Sequence, residues 1–191
     1  MRMHAFIVAA ALAPSLLLAA TRTDIGGSFK LTDQSGRAVT DRTYHGKPVL
    51  MYFGFASCPD VCPTDLARMA RIARQAQQAT GVALTPIFVT VDPERDTPER
   101  LRPYVGVFGK DFVGLTGTPA QIKDITDKYH VFCKKVPYGK QGQYTMDHST
   151  FMFLLDSKGR YQNHFGRSVD EATVVQRISA DLKQAGATAA K

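Results

Sequence analysis

Residues 48–55 form an unbroken apolar run, Pro48-Val49-Leu50-Met51-Tyr52-Phe53-Gly54-Phe55, that ends in a loop at Ser57-Cys58-Pro59. A run without polar alternation suits a central strand covered on both faces. Residues 85–91 repeat the pattern and stop at Asp92-Pro93. Between the two runs, from Pro63 to about Gln78, Leu66, Met69, Ala70, Ala73 and Ala76 recur at helical spacing, and Gly81 marks the stop. Thr97-Pro98 and Thr118-Pro119 each set a capping hydroxyl before a proline at the first helical position, which predicts two more helix starts. The second of these helices runs to about Tyr129, and residues 112–115 predict a strand between the two.

Residues 131–136 and 151–155 read as strands separated by a Gly-rich loop. Lys158-Gly159 then turns into a last strand over 161–165, and 170–184 form a closing helix. Near the start, 29–32 and 38–40 flank Asp33-Gln34-Ser35-Gly36 as a hairpin. Strands alternating with helices predict a parallel core, to which the hairpins add antiparallel strands. The expected fold is a single α/β domain over residues 25–186, with a mixed central sheet flanked by helices. A chain of 191 residues, 44% apolar and 21% charged, suffices for one such core and is short for two.

The first residues change the setting. Met1-Arg2-Met3-His4 is a short positive start, and residues 5–20 are nearly all apolar, broken by Pro14 and Ser15. This pattern predicts a secretory signal, cleaved or kept as an N-terminal membrane anchor. No Cys follows the run to carry a lipid. The domain is therefore expected in the periplasm or on the outer face of the inner membrane, where a cysteine pair can oxidise. The net charge of +7 raises nucleic-acid binding as an option. Its basic residues are scattered, however, without a basic run or interleaved aromatics, so the charge reads as a solvated surface that steers an acidic protein partner.

Cys58 and Cys62 flank Pro59-Asp60-Val61 where a strand gives way to a helix. At this spacing on a first helical turn the two sulfurs share a face, and the amides of a helix start favour thiolate over thiol. A disulfide across so short a loop would constrain the unfolded chain little. Redox or metal chemistry is therefore favoured over a plain staple, and the spacing does not choose between them.

Phe53-Gly54-Phe55-Ala56-Ser57-Cys58-Pro59-Asp60-Val61-Cys62-Pro63 resembles the signature of the Sco/SenC copper proteins. Val91-Asp92-Pro93-Glu94-Arg95-Asp96-Thr97-Pro98 and Tyr144-Thr145-Met146-Asp147-His148-Ser149 resemble two further blocks of that family, in the same order. The resemblance implies a thioredoxin-like fold and a copper ion held by Cys58, Cys62 and His148. It also implies delivery of copper to the copper-A centre of cytochrome c oxidase. Two thiolates and an imidazole form a soft, low-coordinate set that suits Cu(I) and can hold Cu(II), whereas zinc asks for a fourth ligand. His148 is expected at the end of the Gly-rich loop, entering a strand. The expected partner is a copper-accepting oxidase subunit or another copper chaperone, and the protein a monomer.

The alternative function is a thiol–disulfide oxidoreductase acting on the cysteines of the copper acceptor, with Cys58 and Cys62 as the redox pair. Asp92, Glu94 and Asp96 stand at a strand end beside the cysteine loop, either as turn and cap residues or as partners of a ligand or docking protein. Asp147 is a candidate to orient His148 or a surface charge. Cys133, where the family usually has an aromatic residue, is expected as a buried strand thiol. Ala56-Ser57 likewise departs from the family's bulkier pair.

Overall fold

The computed structural model describes residues 25–189, and the expected signal or anchor at 1–20 lies outside them. In chain order the strands and helices are β1 (Lys30–Asp33), β2 (Ala38–Thr40), β3 (Val49–Gly54), α1 (Val61–Thr80), β4 (Thr85–Thr90), α2 (Pro98–Gly106) and β5 (Val113–Thr116). They continue as α3 (Pro119–Lys128), β6 (Cys133–Pro137), β7 (Tyr144–His148), β8 (Met152–Leu155), β9 (Tyr161–Phe165) and α4 (Glu171–Ala189). A seven-stranded sheet runs β2-β1-β5-β4-β3-β8-β9, and β6-β7 form a separate two-stranded sheet. Pairing is parallel across β3-β4 and β4-β5 and antiparallel at β1-β5, β3-β8 and β8-β9. This is the mixed, helix-flanked sheet of the thioredoxin-like fold.

Every residue of β3 is buried, as its continuous apolar run requires. Successive side chains point to opposite faces. Phe53 meets Tyr129, just after α3, at 5.4 Å between ring centroids and Phe153 of β8 at 5.7 Å. On the other face the Tyr52 hydroxyl donates to Asp65 of α1 at 3.0 Å. Both predicted Thr-Pro helix starts form: Thr97 accepts the Arg100 amide, and Thr118 makes a reciprocal capping box with Gln121. Gly81 ends α1 in the left-handed conformation at φ 73°.

The structure differs from the sequence-based expectation in two places near the cysteines and the histidine. α1 begins at Val61, with Asp60 as its N-cap, so Cys58 lies in the preceding loop and not on the first helical turn. Residues 144–148 are a strand, β7, paired with β6 from Pro137↔Tyr144 to Cys133↔His148, so His148 ends a strand and not a loop. The inward positions of β7 include the polar-ended Tyr144 and His148 and it follows a Gly-rich loop, so the segment reads as part of that loop. Among the described residues no helix is long and apolar enough to cross a membrane.

Candidate metal centre

Cys58 is held by the turn that leaves β3, its amide donating to the Phe55 carbonyl at 3.2 Å. Cys62 is the second residue of α1, fully buried, and its amide donates to the Cys58 sulfur at 3.4 Å. A capping side chain would ordinarily accept an amide of this first turn. Asp60 makes no such bond, and the Cys58 sulfur takes its place. Gly54 leaves the room for Cys62: a Cβ there would lie 2.8 Å from the Cys62 sulfur.

His148 reaches the cysteines from β7. Its Nδ1 lies 2.9 Å from the Ser149 carbonyl, an acceptor, so Nδ1 carries the proton and Nε2 keeps its lone pair. Nε2 stands 3.4 Å from the Cys62 sulfur. The imidazole is wedged edge-on against Phe55 at 5.8 Å and Tyr52 at 6.2 Å between centroids. Among the described residues one group of His, Cys, Asp or Glu could hold a metal ion: Cys58, Cys62 and His148, their ligand atoms within 4.8 Å of one another. Metal bonds of about 2.0–2.3 Å span at most about 4.6 Å, so donors so spaced share one ion after a small inward shift. The two sulfurs, which bind copper as thiolates and release their protons to do so, are grouped with the imidazole as a soft donor set.

Electrostatics opposes ionisation at Cys62. Burial pushes the Cys62 thiol well above its usual value, and the neighbouring Cys58 adds to this; the Phe55 backbone and the Tyr52 hydroxyl pull the other way without prevailing. The expectation that the helix start favours the thiolate is thus overridden at Cys62 by desolvation. Burial also lowers the His148 pKa, against the Ser149 carbonyl, which favours the charged ring. Tyr52 is raised chiefly by burial, and Asp65 beside its hydroxyl adds to this. Behind it, Arg167 Nε donates to the buried Asp65 at 3.1 Å and neutralises it.

Of the acidic cluster, Asp92 and Asp96 are buried and bonded within the protein. Asp96 Oδ2 accepts from the Ala56 amide at 2.8 Å and the Thr90 hydroxyl at 2.7 Å, which ties the cysteine loop to the end of β4. Burial raises the Asp96 pKa, opposed by those same bonds. Asp92 accepts from the Tyr144 hydroxyl at 2.9 Å and pairs with Arg95, while Glu94 pairs with Lys135. Asp147 is exposed, and the Ser149 carbonyl takes the orienting role considered for it. Cys133, expected as a buried strand thiol, is only half-buried at the start of β6, and burial raises its pKa. Sequence reasoning passed over Tyr52, Asp65, Arg95, Tyr144 and Arg167 as parts of the site, because each joins it through tertiary contacts alone.

A model of the SCO1/SenC family matches residues 19–183. A SCO2-like protein of Rickettsia prowazekii is 42% identical over 153 residues, covering 80% of this chain and 74% of the relative. The crystal structure of Arabidopsis thaliana ScoI with copper bound superposes at a TM-score of 0.80 with 34% identity, covering 84% of this chain and 99% of that one. Bradyrhizobium japonicum ScoI with copper bound gives 0.71 with 42% identity, covering 84% and 98%. On the extent of the family match and the identity to these relatives, the chain belongs to the SCO1/SenC family.

Proposed function

We propose that this protein binds a copper ion through Cys58, Cys62 and His148 and passes it to the copper-A centre of cytochrome c oxidase. The observation that carries the proposal is the convergence of two sulfurs and one imidazole nitrogen, from a loop, a helix start and a strand, within 4.8 Å. The copper-bound plant and bacterial Sco structures support the choice of metal. The description of a Sco protein as a cytochrome c oxidase assembly protein supports the destination. Half-exposed Arg100 and Arg167 frame the site, one donating to Ser57 and the other paired with Asp65. With a net charge of +7 they suit an acceptor whose docking face is acidic. An N-terminal signal or anchor at 1–20 would place the domain on the outer face of the inner membrane.

Copper titration of the reduced protein tests this. One ion per chain is expected. His148→Ala should lower Cu(II) affinity by at least about tenfold and abolish the thiolate-to-copper absorption of the intact site. Copper binding of the variant indistinguishable from the wild type would remove His148 from the ligand set.

One observation favours a second function, thiol–disulfide exchange with the acceptor. Cys58 is half-buried and Cys62 fully buried, the arrangement of an attacking and a resolving thiol. The Cys58 thiolate would attack a partner disulfide, and Cys62 would then displace the partner's second thiol, leaving Cys58–Cys62 oxidised and the partner reduced. This route has no use for an imidazole ligand. Disulfide reduction kept at the wild-type rate by His148→Ala, with copper binding lost, would assign the main role to it.

A further inference from the structure

Among the described residues His148 sits on a strand with no neighbour in the main sheet, since β7 pairs there with β6 alone. Strand pairing therefore does not fix the imidazole relative to the cysteines. Residues Tyr144, Met146 and His148 share one face of β7, and that face turns to the body of the protein: Met146 is buried and its two companions are half-buried. At the far end of this face, Tyr144 is gripped by the loop that follows β4. Its hydroxyl donates to Asp92 Oδ1 at 2.9 Å, and Arg95 Nη1 donates to its carbonyl at 2.9 Å. The Arg95 guanidinium also lies over the Tyr144 ring, 3.9 Å from the centroid, and 5.8 Å from the centroid of Phe55, which packs on His148. Asp92 is 1% exposed, and Arg95 closes the triangle by pairing with it.

The same loop grips the cysteines from its other side, because Asp96 Oδ2 accepts the Ala56 amide two residues before Cys58. The Asp92 amide donates to the Thr90 hydroxyl oxygen, whose own proton goes to Asp96. One continuous hydrogen-bonded path thus runs from the cysteine loop through Asp96, Thr90 and Asp92 to Tyr144 on the histidine strand.

We propose that Asp92, Arg95 and Tyr144 are positioning residues for His148, a latch that holds the β6-β7 hairpin against the loop after β4 and so sets the approach of the imidazole to the two sulfurs. The proposal rests on the copper function above and names what keeps its third ligand in place. With the latch closed, copper meets two sulfurs and a nitrogen. With it open, copper keeps the two sulfurs, a set that still serves Cu(I) and serves Cu(II) poorly. The latch therefore discriminates between the two oxidation states through the ligand it presents.

Tyr144→Phe deletes only the hydroxyl, and Arg95→Lys keeps the charge beside Asp92 while losing the fork that spans Asp92 and the Tyr144 carbonyl. Each is made alone and together with His148→Ala. Three readouts are taken: the apo unfolding midpoint, apo amide exchange over 144–148, and Cu(I) and Cu(II) affinity by chelator competition. Folding close to wild type, faster exchange in β7, and a loss of about tenfold in Cu(II) affinity with a smaller loss for Cu(I) are expected. In the His148→Ala background the same substitutions should cost nothing further, because the ligand they position is gone. Wild-type Cu(II) affinity in both single variants, while His148→Ala loses it, would overturn the latch and leave the copper site standing. An equal loss with and without His148 would also overturn it, since the residues would then be acting on the fold at large. Wild-type copper binding by His148→Ala itself would instead overturn the three-ligand site on which the latch depends. If Tyr144→Phe folds poorly, Arg95→Lys carries the same comparison.

Discussion

Gly54 carries no side chain because the Cys62 sulfur fills the place of one. A Cβ there would also meet Tyr52 Cε1 at 3.0 Å and Phe88 Cε2 at 3.1 Å, all three atoms belonging to fully buried residues. The backbone of Gly54 is ordinary strand, so the requirement is steric rather than conformational. Gly54→Ala is therefore expected to cost about 1–3 kcal/mol by overpacking and, in displacing the sulfur, to weaken copper binding as well. Chemical denaturation and copper titration of the variant check both effects; wild-type values in each would show that the pocket can yield. At this scale the sequence speaks unevenly. Cys58 and Cys62 are legible from residue type and spacing, and His148 from the motif around it. Arg95 and Tyr144 are not, since they meet across 49 positions and Tyr144 meets Asp92 across 52. No local pattern encodes such a meeting.

The elements show why some of the fold could be read and some could not. The hairpin of β1 and β2 was legible because Asp33 to Gly36 carry their own turn chemistry. Asp33 is 2% exposed, and its carboxylate accepts from the amides of Ser35 and Arg37 and from the Arg37 guanidinium. Burial opposes the charge, yet these bonds hold the Asp33 pKa below its ordinary value. A carboxylate lowered on folding adds stability at pH values above its unfolded pKa, and that stability fades as the pH falls through the folded one. Asp33→Asn should destabilise the protein by about 2 kcal/mol at neutral pH, and the gap should close as the pH drops below about 4. Urea unfolding of both proteins from pH 7 to pH 3 measures it; a gap that stays constant would locate the effect in packing instead of charge. β7 is hard to read because its inward positions, Tyr144, Met146 and His148, are apolar only at Met146, so the alternation is weak. The i, i+4 spacing of Cys58 and Cys62 fits a helical turn equally well, but here Cys58 precedes the helix and its sulfur stands in for the cap.

At the scale of the whole molecule, the candidate ligands come from parts that the fold joins only indirectly. The hairpin of β6 and β7 belongs to a separate sheet, whereas Cys58 and Cys62 stand after the central strand β3 and at the start of α1. A metal ion bound by all three would therefore act as a cross-link between hairpin and core, and binding to the folded state alone adds stability by mass action. At free copper about a hundredfold above the dissociation constant, this amounts to about 2.7 kcal/mol, which in a domain of this size raises the melting temperature by roughly 5–10 °C. Reduced, copper-loaded protein is expected to melt higher than apo protein by that margin, and a Cu(I) chelator should restore the apo value. Amide exchange in β7 should slow on loading in the wild type and remain unchanged in His148→Ala, which keeps the two sulfurs but loses the arm that reaches the hairpin. Slower exchange confined to the start of α1 would mean that the ion is held by the cysteines alone, and the cross-link with it would be refuted.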